Sequence, residues 1–314
     1  MDKPLRLTPQ YRDYLWGGQR LRPGMERTAE AWVVHEQDRL DGGPHAGRSL
    51  AELAAEFGEA LLGRRAVQVT GRRFPLLIKL LDCNEWLSLQ VHPNNEQAVQ
   101  LEGAGHFGKA EAWYVLEAEP GAQILCGLLP GTAPDALAQA MHSGTILDLA
   151  QRLPVNTGET IYIPPGMVHA LGPGLFVYEV QQTSDITYRV YDWNRPASSG
   201  RKLHIEQSLA VTDANTAGQL IPHPVLEDGS SCKLVRCPYF TLELLAGQSN
   251  SIGQDTRGES FHVLTVIEGQ ATIKGAGWEE FIGCLETVVI PAACTGYVVR
   301  PVDKLRMLKA FIED

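Results

Sequence analysis

Residues 86–95 read Trp86-Leu87-Ser88-Leu89-Gln90-Val91-His92-Pro93-Asn94-Asn95. Side chains of a strand point to opposite faces with period two. Leu87, Leu89 and Val91 therefore share one face, and Trp86, Ser88, Gln90 and His92 share the other. An ordinary half-buried strand sets apolar residues against charged ones. Here the second face carries a hydroxyl, an amide and an imidazole in a row, which suits the polar interior of a barrel that holds a ligand. Pro93 has no N–H to donate and ends the ladder. A lone histidine in such a strand is more often incidental than a ligand, so the reading turns on what the rest of the chain brings to it.

The chain has 314 residues, enough for one large or two ordinary domains. Its 31 glycines and 19 prolines, set among short Val/Ile/Leu-rich runs, favour many strands joined by turns. No uninterrupted apolar run is long enough to span a bilayer, so no membrane partner is expected. The opening MDKPLRLTPQ has no apolar core of a secretory signal, and a cytoplasmic location is expected. Six cysteines (Cys83, Cys126, Cys232, Cys237, Cys284, Cys294) show no CxxC spacing and read as reduced residues rather than disulfides or zinc ligands. A net charge of −10 argues against a nucleic-acid partner. It also means that an anionic substrate needs a local cluster of cations, because the global field repels it. The sequence leaves the oligomeric state open.

The coarse pattern is mainly β. Short strands are expected at Leu5–Leu7, Tyr14–Gly18 and Ala29–His35, before a helix over about 49–63 with Ser49 and Glu52 as a capping box. Phe74–Leu81 is a buried apolar strand carrying one cation, Lys79, which is costly there unless it meets an anion. Glu111–Glu117, Ala122–Gly127, Glu159–Ile163, Leu175–Gln181 and Ile186–Asp192 read as further strands. Residues 94–107 read as a loop or short helix. Helices are expected over about 132–153, with Pro134 in the first turn and a break near Ser143-Gly144, and over 204–212. After about residue 222 strand and turn alternate almost without interruption. Val288-Val289-Ile290-Pro291-Ala292 there echoes Ile161-Tyr162-Ile163-Pro164-Pro165, a weak internal repeat.

The expected fold is thus two cupin-like β-barrels of jelly-roll type with a small helical subdomain. Residues 1–220 would form the metal-binding domain with an N-terminal extension. Residues 221–314 would form a second, metal-free β-domain, because that copy has no histidine after its proline turn and only His262 in its strands.

Gln90, His92, Glu111 and His169 fall on strands distant in sequence. Two histidines and a carboxylate facing a polar interior are the usual donors for a divalent transition metal. Gln90 and His92 share a face through their i, i+2 spacing, and the Pro164-Pro165-Gly166 turn aims His169 rigidly. Lys109 and Glu111 likewise share a face.

These segments together resemble type I mannose-6-phosphate isomerases, zinc-dependent cupin enzymes, in their short bacterial form. The resemblance rests on Phe74-Pro75-Leu76-Leu77-Ile78-Lys79, Ser88-Leu89-Gln90-Val91-His92-Pro93, Gly108-Lys109-Ala110-Glu111-Ala112-Trp113-Tyr114 and Pro165-Gly166-Met167-Val168-His169-Ala170. It extends to Glu179 with Arg189 ten residues on, and to Tyr14-Leu15-Trp16-Gly17-Gly18 and Ala29-Glu30-Ala31-Trp32. The chain lacks the large helical insertion of long members, and has Leu171 where those carry an aromatic. The resemblance implies one zinc ion held by Gln90, His92, Glu111 and His169. It implies Arg189 as the catalytic arginine, with Ser88, Lys79, Lys109, Glu179 and Arg189 around a phosphorylated hexose. The implied reaction interconverts mannose 6-phosphate and fructose 6-phosphate by moving a proton between C1 and C2 through an enediolate. Glu179 and Lys109 compete for the role of general base. Two other readings stay open. One is a non-haem iron oxygenase, since two histidines and a carboxylate also make a facial triad; the other is a non-catalytic sugar-phosphate-binding bicupin.

Overall fold

The computed structural model describes residues 1–196, 201–216 and 218–313. The fold is mainly β, as expected. The chain divides into two compact units. One comprises Met1–Gln10, Trp32–Ile78 and Pro224–Asp314; the other comprises Tyr11–Ala31 and Lys79–His223. This division departs from a single cut near residue 220, because residues 32–78, with the helix expected over 49–63, group with the C-terminal strands. Main-chain bonds account for that grouping. Phe261 N donates to Leu62 O at 3.0 Å and Arg65 N to Glu259 O at 2.8 Å, while the Phe74 and Phe261 rings lie 4.5 Å apart.

The strands up to residue 221 are β1 (Gln10–Arg12), β2 (Glu30–Val34), β3 (Leu76–Cys83), β4 (Leu89–Val91), β5 (Glu111–Ala118), β6 (Gln123–Leu128), β7 (Ala150–Pro154), β8 (Thr160–Ile163), β9 (His169–Leu171), β10 (Leu175–Gln182), β11 (Tyr188–Tyr191) and β12 (Gln219–Ile221). They form a seven-stranded sheet, β1-β2-β3-β10-β5-β8-β12, and a five-stranded sheet, β11-β4-β9-β6-β7. Trp113, Val115, Ile161, Ile163 and Val177 of the first meet Ile124, Cys126 and Leu171 of the second in one apolar core. Leu171 is thus a core residue. The other face of the five-stranded sheet carries Leu89, Val91, Leu125 and Ala170, and helices cover it with Leu137, Ala140, Met141 and Val211. The alternation holds along Leu89–Val91, where it divides helix-facing from interior-facing side chains; before the strand it is corrected, since Leu87 packs in the interior core and Trp86 against the helix-side cluster.

Two close approaches explain the Trp16-Gly17-Gly18 motif, whose glycines form isolated bridges to Cys83 and Thr28. A Cβ on Gly17 would come within 2.5 Å of the Ala29 backbone, and one on Gly18 would collide with the Asp82 carboxylate. That buried carboxylate takes the Arg20 N–H at 2.7 Å and its guanidinium at 2.7 Å.

The helices are α1 (Leu50–Phe57), α2 (Glu59–Leu62), α3 (Arg64–Thr70), α4 (Asn95–Glu102), α5 (Pro134–Ser143) and α6 (Ile205–Val211). The Ser49–Glu52 capping box is present, and Gly58 interrupts the expected 49–63 helix. The helix expected over 132–153 ends at its expected break, Ser143, where Gly144 adopts the left-handed conformation (φ 76°), and the helix expected beyond that break is corrected. After a 3₁₀ turn, Ala150–Pro154 is strand β7, alternating in burial and paired with β6. The Ala/Leu/Gln composition carried no sign of that cross-strand pairing.

The other unit contains β13 (Ser230–Arg236), β14 (Thr241–Gly247), β15 (Ile252–Asp255), β16 (His262–Glu268), β17 (Ala271–Gly275), β18 (Trp278–Ile282), β19 (Thr287–Ile290), β20 (Gly296–Pro301) and β21 (Leu305–Phe311). These make sheets of order β13-β14-β21-β16-β19 and β15-β20-β17-β18. Leu264, Val288 and Met307 of one sheet pack with Ile273, Tyr297 and Val299 of the other. All six cysteines are free thiols.

Candidate metal centre and active site

Cross-strand register assembles the site. On the five-stranded sheet, Arg189 pairs with Gln90, Gln90 with His169, and His169 with Cys126. Directly paired residues project to the same face, so these four form one row facing the interior. On the facing sheet Gln181, Glu111 and Ile163 form a matching row, and Glu179, Trp113 and Ile161 form the next one down. Below that lie Val115 and Val177. The interior thus grades from polar at one end to apolar at the other.

His92, Glu111 and His169 converge at the polar end. One donor atom from each lies within 4.8 Å of the other two, and all three residues are buried. Glu111 Oε1 is 3.1 Å from His169 Nε2, and Glu111 Oε2 is 3.6 Å from His92 Nε2. The imidazoles are 4.8 Å apart. Gln90, half-buried, stands beside His169 in register and two residues from His92.

The chemistry of these atoms fits a cation. His92 Nδ1 lies 2.8 Å from Ile186 O, and His169 Nδ1 lies 2.8 Å from Met167 O. Each Nδ1 must carry the proton it donates to a carbonyl, which leaves the Nε2 lone pairs turned toward Glu111, a tautomer suited to metal ligation. Burial, and next the Lys109 ammonium, hold His92 well below the usual histidine pKa, so the ring is neutral. Burial would raise Glu111, but the Lys109 ammonium beside it opposes burial and draws it below the carboxylate range. His169 Nε2 and both Glu111 oxygens are buried and make no hydrogen bond of good geometry, although the Lys109 ammonium pairs with Glu111 Oε2. Acceptors facing acceptors in a dry interior need a cation among them, and Lys109 approaches on the side of Glu111 Oε2 and His92 Nε2, which leaves Glu111 Oε1 facing His169 Nε2.

Lys109 reaches this cluster, with Nζ 2.8 Å from Glu111 Oε2 and 3.1 Å from His92 Nε2. Glu179 lies one row deeper. Its Oε1 is 3.1 Å from Lys79 Nζ, and its Oε2 accepts from Trp113 Nε1 at 2.9 Å. Lys79 has thus found its anion, and Glu30 stands 3.8 Å away on its other side. Burial opposes the charge on Lys79, yet Glu179, Glu30 and Glu111 together raise its pKa above the usual lysine value. Ser88 is buried, two residues before Gln90.

Arg189 donates through Nη1 to Lys202 O at 2.9 Å, and its Nε is buried without a hydrogen-bond acceptor. Burial, then neighbouring Arg201, lowers its pKa from the usual value; an arginine stays cationic at neutral pH all the same. The turn after β11 holds a network of ion pairs. Asp192 is buried and binds Arg195 at 3.0 Å and Arg201 at 2.8 Å.

Sequence reading missed Trp113 and Gln181. Trp113 packs edge-on to His169, 5.4 Å between ring centres, while its N–H holds Glu179. Its place two residues after Glu111 was the available signal. Gln181 follows Glu179 by two, and its buried Oε1 has no donor.

A family model described as phosphomannose isomerase type I, catalytic domain, matches residues 5–120, which include Gln90, His92 and Glu111. The mannose-6-phosphate isomerase of Streptococcus mutans is 39% identical over 294 residues, covering 90% of each chain. One from Bacillus subtilis is 34% identical over 283 residues, covering 85% of this chain and 86% of that one. The crystal structure of a Bacillus subtilis mannose 6-phosphate isomerase matches with a TM-score of 0.87 at 29% identity, over 98% of this chain and 99% of that one. Identity over most of both chains, joined to the convergence of His92, Glu111 and His169, makes this chain a member of the type I phosphomannose isomerase family.

Proposed function

We propose that this chain interconverts mannose 6-phosphate and fructose 6-phosphate through an enediolate, with one zinc ion held by His92, Glu111, His169 and Gln90. The observation that carries the reading is the buried set of facing acceptors on Glu111 and His169, in a chain whose relatives are named mannose-6-phosphate isomerases. A metal bound there supplies a Lewis acid for the sugar oxygens. Two imidazoles, an amide and one carboxylate would leave half of a divalent ion's charge uncompensated, which suits that task.

The chain's own residues do the rest. Arg189, in the same row as Gln90 and His169, supplies fixed positive charge for the phosphate or for an oxyanion, offsetting the net charge of −10. Ser88 adds a hydroxyl on the same strand face. We assign proton transfer between C1 and C2 to Lys109, because its Nζ lies among the proposed metal donors. Glu179, anchored between Lys79 and Trp113, is the positioning residue beneath it and keeps Lys79 charged. A coupled assay of mannose 6-phosphate, with and without a chelator, tests the reading. Chelator-sensitive formation of fructose 6-phosphate is expected. Turnover that persists in fully stripped protein removes the metal from the account, and tight substrate binding without product removes the isomerase.

A further inference from the structure

The strand order β14-β21-β16-β19 repeats β3-β10-β5-β8, and β15-β20-β17 repeats β4-β9-β6. The registers then match residue by residue. Glu111 pairs with Ile163 before one proline turn, and His262 pairs with Ile290 before the other. Trp113 pairs with Glu179, and Leu264 with Lys309. Gln90 pairs with His169, and Gln254 with Tyr297. His262 thus stands in the position of Glu111, Tyr297 of His169, Gln254 of Gln90 and Lys309 of Glu179. Glu243 pairs with Lys309 in register and as an ion pair, so it takes the part of Lys79 with the charges exchanged. This unit keeps the polar end of the interior and replaces the metal donors.

That end opens into a cavity of about 980 Å³ within the unit, a volume in the range of small-molecule sites. Four of its five Lys and Arg side chains already have carboxylate partners: Lys309 has Glu243, Lys233 has Glu313 at 2.6 Å, Lys274 has Glu279 at 3.3 Å and Arg65 has Glu259 at 3.8 Å. The fifth, Arg257, is exposed to solvent, so an anion would gain little in the buried part of the cavity. The remaining groups suit hydroxyls. Gln254 Oε1 accepts from Lys309, which leaves its amide N–H groups for a ligand oxygen. His262 Nδ1 is 2.7 Å from Tyr297 Oη, which leaves Nε2 for a ligand. Burial, and next Lys309, hold that ring neutral. Half-buried Phe311 lies edge-on to the His262 ring, 5.3 Å away, and carries the Lys309 ammonium 4.7 Å over one face, which leaves the opposite face as the apolar platform.

We propose that this cavity is a second, metal-free binding site for an uncharged sugar, recognised by Gln254, His262 and Tyr297 with a sugar face on Phe311. The proposal does not depend on the isomerase reading.

The test is titration of D-mannose by calorimetry into the wild-type chain and into His169→Ala, Gln254→Ala and Tyr297→Phe. Equal affinity is expected in the wild type and His169→Ala, with at least a tenfold weakening, roughly the loss of one well-made polar contact, in Gln254→Ala and Tyr297→Phe. Isomerase activity of Gln254→Ala is expected to match the wild type. Gln254 lies half-buried on edge strand β15, and Lys309 keeps its ion pair with Glu243 when the amide is removed, so Gln254→Ala is expected to fold, which its isomerase activity checks. A soaked crystal gives a second reading, with sugar density expected against Phe311. No saturable binding in the wild type overturns the proposal, as does binding that survives Gln254→Ala or that His169→Ala abolishes.

Discussion

Lys79 and Glu179 form a buried ion pair one row beneath the proposed metal donors, with Nζ and Oε1 3.1 Å apart and less than a tenth of either side chain exposed. A pair so placed holds its geometry because neither partner can be solvated alone. Lys79→Met leaves Glu179 a buried anion held only by Trp113. Breaking a buried pair from one side costs about 3–5 kcal/mol, and urea unfolding should show a loss of that order. The pH dependence follows from the raised pKa of Lys79. A raised folded-state value contributes stability that is complete below the unfolded lysine pKa of about 10.4. It is lost as pH rises through the folded value. The gap between wild type and Lys79→Met should therefore be flat from neutral pH to about pH 9 and close only in stronger alkali.

Trp113→Phe keeps most of the ring beside His169 but removes the N–H that Glu179 accepts at 2.9 Å. A buried acceptor stripped of its donor costs about 1–3 kcal/mol. Thermal unfolding should register that loss while metal content stays at the wild-type value.

Lys109 and Glu179 are separated by a pair of variants. With Lys109 as the proton carrier, Lys109→Met should lower kcat roughly 10²–10⁴-fold, the usual contribution of a general acid–base group. Glu179→Gln should lower it less, with metal content unchanged. Abolished turnover in Glu179→Gln beside near-normal turnover in Lys109→Met would exchange the two roles.

Phe74 is fully buried against Phe261. Phe74→Ala should cost about 3–5 kcal/mol, as large-to-small changes in cores do, measured by denaturant unfolding at unchanged m-value.

The site was legible where one strand's alternation settled it. Gln90 and His92 share a face for reasons of period alone, and Lys109 with Glu111 repeats the case. Register was not legible: no local feature says that Gln90 pairs with His169 and Arg189, or that Glu179 lies a row below Glu111. Strand β7 was hidden because Ala150–Pro154 is written in helix-forming residues and is held by pairing with β6. The grouping of residues 32–78 with the C-terminal strands was hidden for the same reason, since it rests on main-chain bonds such as Phe261 N to Leu62 O. Local pattern set the faces; cross-strand pairing set the neighbours.

The central claim is that His92, Glu111, His169 and Gln90 grip one metal ion. Anomalous diffraction at the zinc edge from crystals of the purified chain tests it most directly. The account predicts a single peak per chain, within bonding distance of His92 Nε2, His169 Nε2 and a Glu111 carboxylate oxygen. No peak in zinc-supplemented crystals, or a peak held by other residues, would contradict it.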